Sequence, residues 1–291
     1  MDPRAPGSSE QAIEDAETYC YGHPNTPTKL RCSRCDRPIC GRCAIPASVG
    51  QHCPECVAEA RRSAPKVRTA IAATAPAVLG IIVITGIFFI LQQMGVGNLT
   101  GRFPSCPAAI QNGEWWRLLT PVLVHANAIH VLMNMFVLYI YGMNCEEAFG
   151  SVRLVIIYVG SALLGSALSY ATHKGVPSVG ASGAVFGVVG ALIVYLYRRR
   201  SSQFIRQHLS GMMMFLALNA VLGFLLPNVD VMAHFGGLIG GMIIGASFDR
   251  RHIGAQAMSP ALLQIAGVVA VLSLSIGLVA WKSSTSFFAF C

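Results

Sequence analysis

Ser182 stands in Gly180-Ala181-Ser182-Gly183, inside a run of 23 residues, Gly175 to Tyr197, with no Asp, Glu, Lys or Arg. A later uncharged run holds Ala233-His234-Phe235-Gly236-Gly237. A hydroxyl and an imidazole are the parts of a nucleophile and its general base. Ionisable groups at membrane depth are costly, so by default they point to function. An earlier stretch, His125-Ala126-Asn127-Ala128-Ile129-His130-Val131-Leu132-Met133-Asn134, adds two donors. His130 and Asn134 are four residues apart and therefore share one helix face. Both can donate hydrogen bonds when neutral, and two donors aimed at a hydroxyl from another helix could stabilise an oxyanion. Such residues also bond neighbouring helices and hold bundles together. Beside Ser182 and His234, the catalytic reading is the stronger one.

A different chemistry belongs to the N-terminal part. Cys20-x2-His23, Cys32-x2-Cys35, Cys40-x2-Cys43 and Cys53-x2-Cys56 place four ligand pairs within 37 residues. Each pair can present two ligands to one zinc ion, and two pairs close a tetrahedral site. Eight ligands imply two zinc ions. Only four residues separate Cys35 from Cys40, so alternating pairing is the more natural. It puts Cys20, His23, Cys40 and Cys43 on one ion, and Cys32, Cys35, Cys53 and Cys56 on the other. His52 is an alternative ligand to Cys53. A disulfide framework would use the same cysteines, but the recurring spacing and the expected reducing compartment disfavour it. So small a module has little core, and metal would supply its folding energy. A closed shell leaves no position for a reactive water, which makes these zinc ions structural.

Both sets of side chains need scaffolds. The 291 residues are 54% hydrophobic and 12% charged, about half the ~25% charged share of soluble domains. Seven charge-free segments follow Arg68: 69–101, 118–145, 154–173, 175–197, 207–229, 231–248 and 252–281. Each can supply the roughly 17–25 residues of a transmembrane helix. Hydrocarbon offers no partner to a free backbone group, and the runs lack strand alternation, so helices are expected. With a cytoplasmic N-terminus, eleven basic residues flank the inner side of the spans and four the outer side. That imbalance sets the orientation. It puts the C-terminus outside and Ser182 near the outer face. The net charge of +8 then lies mostly at membrane ends, where it suits anionic lipid and calls for no nucleic acid. The first 60 residues contain no apolar stretch of the signal-peptide kind, so no signal peptide is expected.

Local signals refine the picture. Val176-Pro177-Ser178-Val179-Gly180 places a Pro and a Gly inside an uncharged run, so the helix is expected to start only near Ser182. A helix from Ser182 to Tyr197 has 16 residues and spans about 24 Å. It begins below the membrane surface, where irregular backbone is tolerated only inside protein or beside water. Behind His234, Gly236, Gly237, Gly240, Gly241 and Gly245 leave a nearly bare helix face for close approach, most simply to the serine helix. Asp230 could complete a triad, but Asp is a preferred N-cap, so a dyad is expected. Phe186, one turn after Ser182, could stack on the imidazole.

Gly180-Ala181-Ser182-Gly183, the His125-Ala126-x3-His130-x3-Asn134 run and Ala233-His234-Phe235-Gly236-Gly237 together resemble the rhomboid family of intramembrane serine proteases, over about residues 70–250. Trp116-Arg117 resembles the family's signature in the long loop after the first span. The resemblance implies an all-α polytopic membrane protein with a six-helix core, a Ser182–His234 dyad and an oxyanion held by His130, Asn134 and the Ser182 backbone. It implies cleavage of single-span transmembrane proteins in or near the membrane, with no cofactor for catalysis. The seventh span resembles the family's occasional extra C-terminal helix. The cysteine-rich segment resembles B-box-like zinc domains that precede some bacterial rhomboids, which implies a bacterial cell membrane. Phe186 stands where the family often has Tyr.

The expected organisation is a disordered N-terminus (1–18), a two-zinc cytoplasmic domain (19–57), a basic linker (58–69), the rhomboid core (70–250), and a seventh transmembrane helix with its tail (251–291). A cytoplasmic protein partner is the natural role for the zinc domain. The competing reading is a non-catalytic rhomboid-like adaptor that binds transmembrane clients and recruits partners through that domain. A transporter is disfavoured, because the spans carry no paired internal carboxylates. Cys106, Cys145 and Cys291 receive no role, although Cys106 outside and Cys145 near the inner face cannot pair with each other.

Overall fold

Two units, residues 1–72 and 73–291, make up the computed structural model. It describes residues 18–47, 49–63, 75–172, 177–226, 229–249, 259–286 and 288. The N-terminal segment 1–17, the linker from residue 64, Lys174, Arg250, Arg251 and Cys291 lie outside the described residues.

In the first unit, β1 (Tyr19–Cys20) pairs antiparallel with β2 (His23–Pro27), and β3 (Ile45–Pro46) with β4 (Gln51–His52). Helix α1 follows over Pro54–Ser63. Strands this short bury almost no aliphatic surface. The buried cluster consists of Cys20, Cys32, Cys40, Cys43, Cys53 and Cys56 around the single aliphatic residue Ile39.

The second unit is helical: α2 (Pro76–Gln93), α3 (Leu99–Arg102), α4 (Pro107–Gln111), α5 (Ala128–Val137), α6 (Met143–Phe149), α7 (Ser151–Thr172), α8 (Ser182–Tyr197), α9 (Gln203–Leu225), α10 (Val231–Phe248) and α11 (Pro260–Thr285). A π-helical turn at Leu138–Gly142 joins α5 to α6 in one run. Among the described residues, six helices are long and apolar enough to cross a membrane: α2, the α5–α6 run, α7, α9, α10 and α11. The seventh apolar helix, α8, is shorter at 16 residues. It runs through the interior of the bundle, with every residue from Gly183 to Ile193 buried among neighbours. Helix α9 is the opposite case, with Phe204, Met214 and Phe224 exposed as a lipid-facing helix requires.

Glycines bring three helices together. A β-carbon on Gly237 or Gly241 of α10 would collide with the carbonyl oxygens of Gly183 and Gly187 in α8. On the adjoining face, one on Gly236 would stand 2.7 Å from the carbonyl oxygen of Leu164 in α7. The bare face of α10 thus serves two neighbours, not the serine helix alone. At the far end, Arg199 holds Asp249 bidentately at 2.7 and 2.9 Å, tying the close of α8 to the close of α10. Bidentate guanidinium–carboxylate pairs fix direction as well as distance.

Buried polar groups anchor the remaining elements. The Glu146 carboxylate accepts the N–H groups of Ala77 and Val78 at 3.0 and 2.9 Å, satisfying the start of α2. Arg117 donates to Glu114 at 2.6 Å and to the carbonyl of Pro104 at 3.1 Å, which stiffens the long loop between α2 and α5. The Gln111 amide donates to the carbonyls of Ser283 and Ser286, docking the end of α11 on that loop. Cys106 is disulfide-bonded, and Cys145 is a free, buried thiol.

Candidate active site

The segment before Ser182 is irregular, so its backbone groups need partners other than a helix ladder. They find them one after another. Ser178 exchanges two backbone hydrogen bonds with Ser105, at 2.9 and 3.0 Å. Gly180 donates to the carbonyl of Pro121 at 2.9 Å. Ala181 donates to Nε2 of His125 at 3.3 Å. Gly180 adopts φ +117°, a conformation open to glycine at little cost. Ser182 then opens α8, whose first turn no side chain caps. Its first N–H groups have no acceptor within the helix, and they carry the positive end of its dipole.

His130 sits against this turn. A β-carbon on Gly180 would lie 2.6 and 2.8 Å from its Cε1 and Nε2 atoms, so the imidazole edge occupies the space a side chain would need. Asn127 caps α5 by accepting the His130 N–H at 2.9 Å. The Asn134 amide donates to the His130 carbonyl at 2.9 Å, which uses one of its two N–H donors. His125 packs edge-on to His130, with centroids 5.1 Å apart. The backbone of His125 is gripped by Gln92, which donates to its carbonyl at 2.7 Å and accepts its N–H at 3.0 Å.

His234 belongs to the first turn of α10. Asp230 caps that turn by accepting the Ala233 N–H at 2.9 Å, and its second oxygen takes the Ser169 hydroxyl. The carboxylate therefore serves the helix end, the N-cap role expected for it. A β-carbon on Gly183 would stand 3.0 Å from the Ala233 carbonyl oxygen. The residues next to Ser182 and His234 thus meet where α8 and α10 come closest. Phe186 stacks on His234, with centroids 4.4 Å apart and planes 8° from parallel. Ser182 and His234 are both partly exposed, and no direct hydrogen bond joins them. Catalytic pairs are commonly looser without substrate and tighten in its complex.

Two residues outside the expected set enter the geometry. His125 was legible only as the first member of its motif, and Gln92 carried no signal beyond being polar near the end of an apolar run.

In the first unit, eight donors gather in two groups: Cys20, His23, Cys40 and Cys43, and Cys32, Cys35, Cys53 and Cys56, each with its ligand atoms within 4.8 Å of one another. This is the alternating arrangement. His52 lies on β4 outside both groups, because Cys53 occupies the position it would have taken. A tetrahedral ion with bonds of about 2.3 Å to sulfur and 2.0–2.1 Å to nitrogen separates two sulfurs by about 3.8 Å and sulfur from nitrogen by about 3.5 Å. The Cys20–Cys43 and Cys35–Cys53 sulfurs are 3.8 and 3.7 Å apart. Nδ1 of His23 lies 3.8, 3.5 and 3.2 Å from the sulfurs of Cys20, Cys40 and Cys43.

The thiols differ in their tendency toward charge. Burial opposes charge on Cys20, yet N–H groups of Cys40 and Gly22 and the His23 ring outweigh it and bring the thiol down to about 6. Burial and neighbouring thiols push Cys43 up to about 11, and hydrogen bonding to Cys53 and Cys35 pushes Cys56 to about 12. A divalent ion at either group would hold its ligand thiols deprotonated.

Comparison with known proteins places the helical unit. A family profile described as "Rhomboid domain" matches residues 112–251. "Rhomboid protease GluP" of Bacillus subtilis (strain 168) is 35% identical over 191 residues, which are 64% of this chain and 37% of that protein. "Putative rhomboid protease YdcA" of the same organism is 30% identical over 168 residues, 57% of this chain and 84% of that protein. "Rhomboid-like protease 1" of Toxoplasma gondii is 33% identical over 191 residues, 60% of this chain and 64% of that protein. The chain thus spans a little over a third of GluP and most of YdcA. With its multi-pass helical bundle, it belongs to the rhomboid family.

Proposed function

We propose that this protein is an intramembrane serine endopeptidase that cleaves single-span membrane proteins in or near their transmembrane segment. The observation that carries the proposal is the meeting of α8 and α10 at Gly183 and Ala233, beside Ser182 and His234. In this reading His234 takes the Ser182 proton and the alkoxide attacks the scissile carbonyl. The developing oxyanion lies among His130, Asn134 and the uncapped N–H groups that open α8. His234 then protonates the leaving amine, and water hydrolyses the acyl-enzyme. Asp230 is occupied in capping, so the catalytic pair is a dyad held by stacking on Phe186. A substrate helix must unwind to present an extended segment, which favours small or helix-breaking residues at the scissile bond.

The basic residues support a cytoplasmic N-terminus, an external C-terminus and a catalytic end facing outward, and the resemblance of the cysteine-rich segment to domains ahead of bacterial rhomboids supports a bacterial cell membrane. The two donor groups of the first unit suit zinc in a structural role, and their rigid surface suits a cytoplasmic protein partner. Catalysis itself requires no metal. Reconstitution with a single-span model substrate in liposomes tests the activity. Wild type should cut, and Ser182→Ala and His234→Ala should insert normally without cutting. Cleavage at the same site by both variants would refute the dyad. A folded wild type that binds the substrate without cutting it would favour the adaptor reading.

A further inference from the structure

At the end of the bundle where α7 and α11 begin, a groove of about 820 Å³ opens between them. Its walls are Ile156, Phe248, Ile265, Val268 and Val269, and Arg153 stands among them. A volume of that size is within the ~300–1,000 Å³ of well-formed ligand sites. Ile265 and Val269 are exposed to the surroundings, and both helices have membrane-spanning length and apolarity. The medium against the groove is therefore lipid, and an acyl chain is the natural filling of an apolar cleft there.

Arg153 decides which lipid. It lies in the first turn of α7, with its guanidinium over the Phe248 ring at 5.7 Å. No carboxylate pairs with it among the described residues, and it is the charged side chain in the lining of this groove. A cation at the edge of hydrocarbon is expensive without a counter-charge. A lipid phosphate supplies one, with the charge-assisted hydrogen bonds that guanidinium makes best. A zwitterionic headgroup brings its own cation and satisfies the arginine less well. This site lies at the opposite end of the bundle from Ser182 and His234, because α8 and α10 run antiparallel to α7.

We propose that the groove between α7 and α11 holds one anionic glycerophospholipid, its phosphate on Arg153 and its acyl chain along Ile156, Ile265 and Val268. The seventh helix then does more than complete the bundle: it forms one wall of a lipid site that a six-helix core would lack.

Native mass spectrometry of the full-length protein from nanodiscs tests this. Discs contain phosphatidylcholine alone or an equal mixture with phosphatidylglycerol. Wild type and Arg153→Lys should leave the mixed discs carrying phosphatidylglycerol in preference to phosphatidylcholine. Arg153→Gln should carry about fivefold less, the factor one basic residue contributes at an anionic surface. Val268→Trp, which fills the cleft, should also lose the bound lipid while keeping the wild-type helix content. Equal retention of the two lipids by wild type would overturn the proposal. So would undiminished phosphatidylglycerol on Arg153→Gln.

Discussion

The ring of Phe186 lies flat on the imidazole of His234, 4.4 Å between centroids and 8° from parallel. The contact fixes the tilt of the histidine without using either ring nitrogen, which leaves both for proton transfer. Offset aromatic contacts are worth roughly 0.5–1.5 kcal/mol, so Phe186→Leu should slow cleavage by about two- to tenfold. Phe186→Tyr keeps the ring and should stay near wild type. Steady-state cleavage rates in liposomes, with insertion checked by protease protection, measure both.

Asp230 separates a dyad from a triad. As an N-cap, its replacement by Ala should cost about 0.5–2 kcal/mol of stability, seen as a lower thermal midpoint in detergent. The cleavage rate of the folded fraction should change little. A fall of about 10⁴ in rate with stability unchanged would be the mark of a triad carboxylate.

His125 is a positioning residue in this account, since it touches the Ala181 N–H and not the reacting atoms. His125→Ala leaves a buried N–H without its acceptor, at a cost of about 1–3 kcal/mol. Labelling of Ser182 by an active-site reagent should slow by more than the loss of folded protein explains, because the turn that opens α8 is no longer held. Labelling that tracks folded protein in full would reduce His125 to a packing role.

The meeting of α8 and α10 tolerates no side chain at Gly237 or Gly241. The obstacle is backbone, which cannot move aside as a flexible side chain would. Gly241→Ala should destabilise by about 1–3 kcal/mol, and Gly237→Ala should in addition abolish cleavage, being closer to the site. By contrast Gly277→Ala, which meets nothing within 4 Å, should leave thermal stability and cleavage unchanged.

Metal removal should act on one unit only. Purified protein should carry two zinc ions per chain by elemental analysis, and Cys32→Ser should bind one fewer. A strong chelator should unfold the Cys20–Cys56 segment, exposing its thiols to alkylation, while the thermal transition of the helical unit stays in place. Chelation that leaves all eight donors protected from reagents would contradict a metal-built core.

Much of this architecture is legible in the residues alone, where the signal is local. The C-x2-C spacing predicts four ligand pairs and so two donor groups, with alternating pairing as the more natural scheme, and the two groups form that way. Pro177 and Gly180 predict that α8 opens at Ser182, because neither continues a helix. The rest depends on groups far apart in the chain. That Ala181 bonds His125, Gly180 bonds Pro121 and Ser178 bonds Ser105 follows from where three loops meet. A sequence displays the polar groups but not their partners. The glycines behind His234 announce close packing, yet not that α7 and α8 share it. Glu146 reads as an ordinary acidic residue until the start of α2 is seen resting on it.

The most direct measurement is reaction of the reconstituted protein with a serine-directed fluorophosphonate. Wild type should label at Ser182, identified by peptide mass spectrometry, and both Ser182→Ala and His234→Ala should remain unlabelled while folded. Labelling that survives in His234→Ala at the wild-type rate would mean that Ser182 is not activated by this histidine, and the central claim would fail.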